Sequence, residues 1–240
     1  MKILGIIIMR ISSTRLLRKN MLPFAGKTLL EWSLIQATTT IQIDDVVLVT
    51  DSQEMGDVAG RYGVEVIIQP QDSPGFGTVG GGGTAINYTR EQLGDRLKQY
   101  DAIVDGFWNS LMKPGDYDGM IDMYKEEEAA SVLCMTRRNE SMQILDVGGN
   151  HYMNIPVIKH RRQLASVGES IQAVDIYERF RRLSLPEVEA LAYFYELERW
   201  QGHGGIDYQD QFDVAEVLFK KHILKNGANP YQDYYEAGPV

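Results

Sequence analysis

Four cations and three hydroxyls crowd into one short stretch near the N-terminus, Arg10-Ile11-Ser12-Ser13-Thr14-Arg15-Leu16-Leu17-Arg18-Lys19-Asn20. They follow an apolar run, Gly5-Ile6-Ile7-Ile8-Met9, that reads as a short buried strand. A strand that opens into a hydroxyl-rich cationic loop suits a polyphosphate. Backbone N–H groups and hydroxyls donate to phosphate oxygens, and Arg and Lys neutralise their charge. A solvated basic loop is the other reading of this spacing. Position favours the ligand-holding one, because the cations follow the first strand of an alternating strand–helix pattern, where open α/β sheets place their ligands. No G-x-x-x-x-G-K-[ST] is present, and no G-x-G-x-x-G follows the strand.

The rest of the chain does not share this charge. The 240 residues carry a net charge of −9, so a general binder of nucleic acid or anionic membrane is disfavoured. A hydrophobic content of 44% suits a single α/β domain over 1–240. The one cysteine, Cys134, excludes an internal disulfide and a cysteine-based zinc cluster, and its apolar setting reads as a core thiol in a reducing, cytoplasmic compartment. No apolar run approaches the ~18 residues of a membrane span. The apolar run at the N-terminus is too short for a signal peptide.

The elements that must position the loop follow in order. Thr28-Leu29-Leu30-Glu31 is a capping box opening a helix with Leu30, Leu34, Ile35 and Ala37 on one face. Val46–Thr50 is a second buried strand, and a helix from Asp51 ends at Gly63. Val64–Ile68 is strand three, and a glycine-rich loop, 70–83, precedes a helix from Thr84 to about Leu97. Strand four is Ala102–Gly106, followed by a helix over Asp116–Glu127 and strand five at Ser131–Met135. This alternation predicts a Rossmann-like, mostly parallel sheet with helices on both faces. Gln143–Val147 and His151–Asn154, joined by Gly148-Gly149-Asn150, read as a β-hairpin within an excursion over 136–165, of the kind that serves as a dimerisation arm or a lid. Ala173–Tyr177 is a candidate strand, Ala192–Trp200 is open to helix or strand, and Asp213–Leu224 is a core helix with Val214, Val217, Leu218 and Phe219 inward. The tail, 226–240, reads as irregular.

The chain resembles the cytidylyltransferases that make CMP-activated sugar acids, a family including the acylneuraminate, Kdo and spore-coat polysaccharide enzymes. The family's A-R-x-x-S-[KT]-R-[LI]-P-G-K-N is similar to Met9–Asn20 here, and its P-L-x-G-K-P-L-I-x-W-[ST] to Pro23–Ser33. Val46–Asp51 resembles V-V-V-S-T-D, Tyr62–Val66 resembles Y-G-A-E-V, and Gly205–Asp213 resembles I-D-I-D-x-x-x-D-L. The resemblance implies attack of a sugar-acid hydroxyl on the α-phosphate of CTP with release of pyrophosphate, for glycan synthesis, by a homodimer. It implies that Arg10, Arg15 and Lys19 act on the triphosphate, that Ser12 and Ser13 line the cradle, and that Asn20 orients the nucleotide. Gln69 and Ser110 fall at nucleotide positions, and Lys113, Arg162 and Gln163 at sugar-acid positions. Asp207, with Asp210 beside it, would hold magnesium, whose hard oxygen ligands are shared with phosphates.

The departures are also specific. Leu17-Arg18 replaces the family's Pro-Gly, Gln209 replaces the second metal Asp, and Gln69 replaces an Arg that helps to read cytosine. The family's Q-P-T-S-P-L-R falls on Phe107–Lys113, where Ser110 matches and Lys113 keeps the charge. These differences keep two alternatives open: a catalytically inactive nucleotide-binding or structural descendant, and a nucleotidyltransferase using another nucleotide and sugar. Trp108 is open to stacking on a base or sugar, or to packing. Asp105, ending an apolar strand, is expected to face the cleft. The four histidines show no metal-ligand spacing.

Overall fold

The computed structural model describes residues 1–73, 82–129, 131–136, 144–147, 150–153, 171–172, 192–224 and 230–237. Strand β1 (Ile3–Ile8) is its centre, and its side chains alternate between two apolar layers. Ile3 and Ile7 join one buried cluster, while Leu4 and Ile6 join another on the opposite face. A strand buried on both faces needs an apolar residue at nearly every position, which is why it reads as a continuous run.

The short strands β2 (Pro23–Phe24) and β3 (Lys27–Thr28) pair antiparallel before helix α1 (Leu29–Thr39). The expected capping box is formed. The Thr28 hydroxyl accepts from the Glu31 backbone N–H (3.1 Å), and Glu31 Oε2 accepts from the Thr28 N–H (2.8 Å). Strand β4 (Asp45–Thr50), helix α2 (Gln53–Gly60), strand β5 (Glu65–Ile68), helix α3 (Gly82–Leu93) and strand β6 (Ala102–Asp105) follow. The sheet order is β5-β4-β1-β6, all parallel, with β1 in register against β4 on one side and β6 on the other. Helix α4 (Asp116–Glu126) leads to β7 (Ser131–Thr136).

Several expectations are corrected and one open reading is resolved. Ser131–Met135 does not extend the parallel sheet. As β7 it is the centre of a second sheet, β10-β7-β11, with β10 (Ile171–Gln172) antiparallel and β11 (Ala192–Leu197) parallel to it. The ambiguous run 192–200 therefore divides into strand β11 and a 3-10 turn, Arg199–His203, because Ser131–Thr136 offers it a full parallel ladder. The last core helix starts earlier than expected, as α5 (Gln209–His222), and buries Phe212, Ala215 and Phe219. Val214 and Val217 point outward, 47% and 63% exposed, because the alternative stripe carries the aromatic rings that pack on Phe24 and Trp32.

The tail is another. Pro230–Ala237 forms helix α6, and Tyr231 is buried by it. The Tyr231 hydroxyl donates to the Met112 carbonyl (2.6 Å) and accepts from Gln36 Nε2 (2.9 Å). Helices α5 and α6 cover the outer side of α1, so Leu29, Trp32 and Ile35 pack there while Leu30, Leu34 and Ala37 pack toward the sheet. Ile35 thus leaves the single face expected for it.

The strands β8 (Ile144–Val147) and β9 (Asn150–Met153) pair antiparallel. Ala173–Tyr177, Arg162 and Gln163 lie outside the described residues. Among the described residues no helix is long and apolar enough to cross a membrane.

Candidate active site

In this sheet the connections reverse direction between β1 and β6, and a crevice opens beyond the carboxyl ends of such neighbouring strands. The chain leaving β1 is fixed there from three sides. Met9 N–H donates to the Val49 carbonyl (3.1 Å) at the end of β4. Ile11 N–H donates to Asp51 Oδ1 (2.7 Å), and Asn20 Nδ2 donates back to the Arg10 carbonyl (2.8 Å). Asn20 is buried, so its amide closes the base of the loop and does not line the cleft. Asp51 was visible in the sequence as a helix start and as the last residue of the segment resembling V-V-V-S-T-D; its place beside the loop follows from the β1–β4 pairing.

The loop encloses a cleft of about 240 Å³ lined by Arg10, Ser12, Ser13, Thr14, Arg15, Leu16, Lys19 and Asp207. Asp207 comes from the segment before α5, 188 residues from Lys19 along the chain. Its carboxylate takes Lys19 Nζ on Oδ1 (3.0 Å) and Arg15 Nη1 on Oδ2 (3.0 Å), and Lys19 also donates to the Ile206 carbonyl. The Asp207 and Tyr208 N–H groups donate to Gln211 Oε1 (2.7 and 3.1 Å), which fixes the backbone at the mouth. Ile206 matches the first position of the I-D-I-D resemblance, while Gln211 falls on an unspecified position and had no signal of its own.

Arg18 belongs elsewhere. It sits at φ 52, a left-handed conformation that glycine adopts without strain and other residues uncommonly adopt. Its guanidinium binds both Glu54 oxygens at 2.7 Å on the rim of α2, so three of the four loop cations line the cleft.

Four further candidates lie away from the cleft lining. Gln69 is 2% exposed and donates through Nε2 to Ser73 Oγ (3.1 Å). Ser110 is buried, and both its N–H and its hydroxyl donate to the Gly204 carbonyl at 3.2 Å. Lys113 pairs with Glu198 Oε1 at 2.6 Å. Asp210 is exposed in the first turn of α5, and Gln209 donates to Asp213 Oδ1 (2.7 Å), away from any shared ligand with Asp207. Among the described residues no group of three or more His, Cys, Asp or Glu side chains could hold a metal by itself. Asp207, at the mouth of this cationic cleft, is a donor of the type magnesium takes, one or two carboxylates with the rest of the shell filled by phosphate oxygens and water.

The loop after β6 contains one strongly perturbed acid. Asp116, 5% exposed, accepts from Lys113 N–H and Gln201 Nε2, each at 2.6 Å. Burial pushes its carboxyl up from 3.8 to about 6, against the lowering effect of these bonds and of the Lys113 charge. The folded chain holds this proton more tightly than the unfolded chain, so the group costs stability as pH rises from about 4 to about 6. Asp116→Asn stays neutral and accepts the same bonds. Its stability relative to the parent is expected to improve by roughly 3 kcal/mol across that window. Urea unfolding at intervals from about pH 4 to pH 7 checks this, and a difference independent of pH would contradict it.

With this geometry in place, comparison with known proteins is specific. Residues 4–74 match the family model described as cytidylyltransferase. The first third of this chain is similar to cytidylyltransferase sequences. It is 36% identical over 72 residues to a 3-deoxy-manno-octulosonate cytidylyltransferase of Acidobacterium capsulatum, covering 30% of this chain and 29% of that protein. It is 42% identical over 65 residues to the pseudaminic acid cytidylyltransferase of Campylobacter jejuni, covering 27% and 28% respectively. The chain thus spans less than a third of the length of these curated relatives in each match. The likeness in fold extends further. A solved CMP:2-keto-3-deoxy-manno-octonic acid synthetase complexed with CTP superposes with a TM-score of 0.62 at 14% identity, covering 93% of this chain and 100% of that one. The cytidylyltransferase match contains the whole cation loop and Asp51, and with them every residue that lines the cleft except Asp207.

Proposed function

We propose that this protein transfers CMP from CTP to a sugar acid and releases pyrophosphate. The observation that carries the reading is the cleft itself: Arg10, Arg15 and Lys19, presented on a loop fixed to β1 and β4, face a carboxylate delivered from the start of α5. Three cations with Ser12, Ser13 and Thr14 suit a triphosphate. The cytidylyltransferase match over this segment supports CTP as the donor.

In the reaction the acceptor hydroxyl attacks the α-phosphorus and the bond to the β-phosphate oxygen breaks. The cations hold the triphosphate in line and stabilise the charge that grows on the departing pyrophosphate. Asp207 would hold magnesium against the phosphate oxygens, and the ion would supply further charge neutralisation there. The β8–β9 pair is the candidate arm of a homodimer.

Pyrophosphate release from CTP and magnesium, measured against 2-keto-3-deoxy sugar acids of the sialic, legionaminic and Kdo types, tests the reading. Acceptor-dependent release is expected with at least one of them. No release with any acceptor would contradict it. A second reading, a nucleotidyltransferase with another base, is favoured by Gln69, which is buried and bonded to Ser73 where the family uses a base-reading Arg. Thermal shifts with CTP, UTP, GTP and ATP separate the two, because the selected nucleotide stabilises the native state most.

A further inference from the structure

We infer that Asp207 occupies the place of a substrate phosphate in the nucleotide-free protein and must exchange its two cationic partners before it can hold a metal ion. The inference rests on the cleft being a triphosphate site.

Asp207 spreads its oxygens over two cations as a phosphate group would, with Lys19 on Oδ1 and Arg15 on Oδ2, both at 3.0 Å. A carboxylate engaged in this way is a poor partner for a divalent ion. Both oxygens are in use, and the two cations repel a third. The pairs are also exchangeable. The side chains of Arg15, Asp207 and Lys19 are 59%, 37% and 24% exposed, a setting in which each ion pair contributes little. A triphosphate carries several negative charges against the single charge of Asp207, so it wins the cations. The backbone need not move, because Gln211 holds the Asp207 and Tyr208 N–H groups and only the Asp207 side-chain torsions have to change. Triphosphate binding therefore precedes metal binding at Asp207, and Asp207 opposes polyphosphate when no metal is present and favours it when metal is added.

Calorimetric titration of inorganic tripolyphosphate tests this, with the wild-type protein, Asp207→Asn, Lys19→Ala and Asp213→Asn. In EDTA, Asp207→Asn is expected to bind about fivefold more tightly than wild type, because two cations are released from their internal partner. Asp213→Asn removes an equal charge from the exposed part of α5 and should stay within about twofold of wild type. In excess magnesium the order of wild type and Asp207→Asn should reverse. Equal or weaker binding by Asp207→Asn in EDTA overturns the inference. If wild type binds no tripolyphosphate and Lys19→Ala changes nothing, the cleft reading has failed and the inference fails with it; wild-type binding lost in Lys19→Ala keeps the two cases apart. A second measurement does not depend on the variant's phosphate affinity. Manganese titrated into the free wild-type protein and followed by its paramagnetic signal should show no saturable site that Asp207→Asn removes, and finding one overturns the inference.

Discussion

Lys19→Ala is expected to lower kcat/KM for CTP by about a hundredfold to a thousandfold and to weaken CTP binding in parallel. The magnitude is that of removing one fixed donor aimed at charge that develops in a transition state. The geometry makes Lys19 such a donor. It follows the left-handed turn at Arg18 in a 3-10 turn, Lys19–Met21, and its ammonium is directed to the Ile206 carbonyl and Asp207 at the mouth of the cleft. Stability should change little, by about 1 kcal/mol or less, because the pair it loses is partly solvated. Arg18→Ala is the informative comparison. It removes a neighbouring cation that binds Glu54 on the rim, so it should leave CTP affinity within about threefold of the parent. Equilibrium titration with CTP, beside steady-state rates, distinguishes these outcomes. Lys19→Ala with unchanged CTP affinity would contradict the role assigned to the cleft.

Gly204→Ala should produce the largest loss of stability, about 3 kcal/mol or more, combining overpacking with displacement of a buried hydrogen bond. The backbone conformation there is ordinary, with φ −75, so the cost is steric. An added Cβ would lie 1.5 Å from Asn109 Oδ1 and 3.1 Å from the Leu111 backbone nitrogen. Asn109 is fully buried, and its Oδ1 accepts from Leu111 N–H at 2.9 Å, so it has no free direction in which to yield. The effect should extend to the cleft. Ser110 is bonded to the Gly204 carbonyl, and the short segment after Gly204 delivers Ile206 and Asp207 to Lys19. Denaturant unfolding measures the loss. A double-mutant cycle with Asn109→Ala should show strong coupling, since removing the Asn109 amide opens the space that the new methyl needs. Additive losses would contradict the clash as the cause.

The parts of the molecule legible from sequence are those whose physics is local. The run Gly5–Met9 is apolar at every position but one, and a strand buried on both faces requires this. The Thr28–Glu31 capping box involves four consecutive residues, and it forms as expected. The cations after β1 are collected by a single loop, so their convergence is visible in the spacing. The second sheet was not legible because β7 finds its parallel partner in β11, far along the chain, and nothing within Ser131–Thr136 specifies that neighbour. On α5 Phe219 is inward as expected, but the choice of Phe212 and Ala215 over Val214 and Val217 beside it depends on Phe24 and Trp32, which no window of that helix contains. The tail read as irregular because the partners that hold Tyr231, Gln36 and the Met112 carbonyl, are contributed by distant elements. Ser110 and Lys113 kept residue types that suit a ligand, yet their polar atoms are used by Gly204 and Glu198. A matching residue type does not fix which neighbour a side chain meets.

The most direct test of the account follows the α-phosphate. CTP labelled at that phosphorus is incubated with magnesium and 2-keto-3-deoxy sugar acids, and the products are separated. The account predicts label in a CMP-sugar acid, unlabelled pyrophosphate in equal amount, and loss of both with Lys19→Ala. Label that remains in CTP with every acceptor, or transfer that persists unchanged in Lys19→Ala, would contradict it.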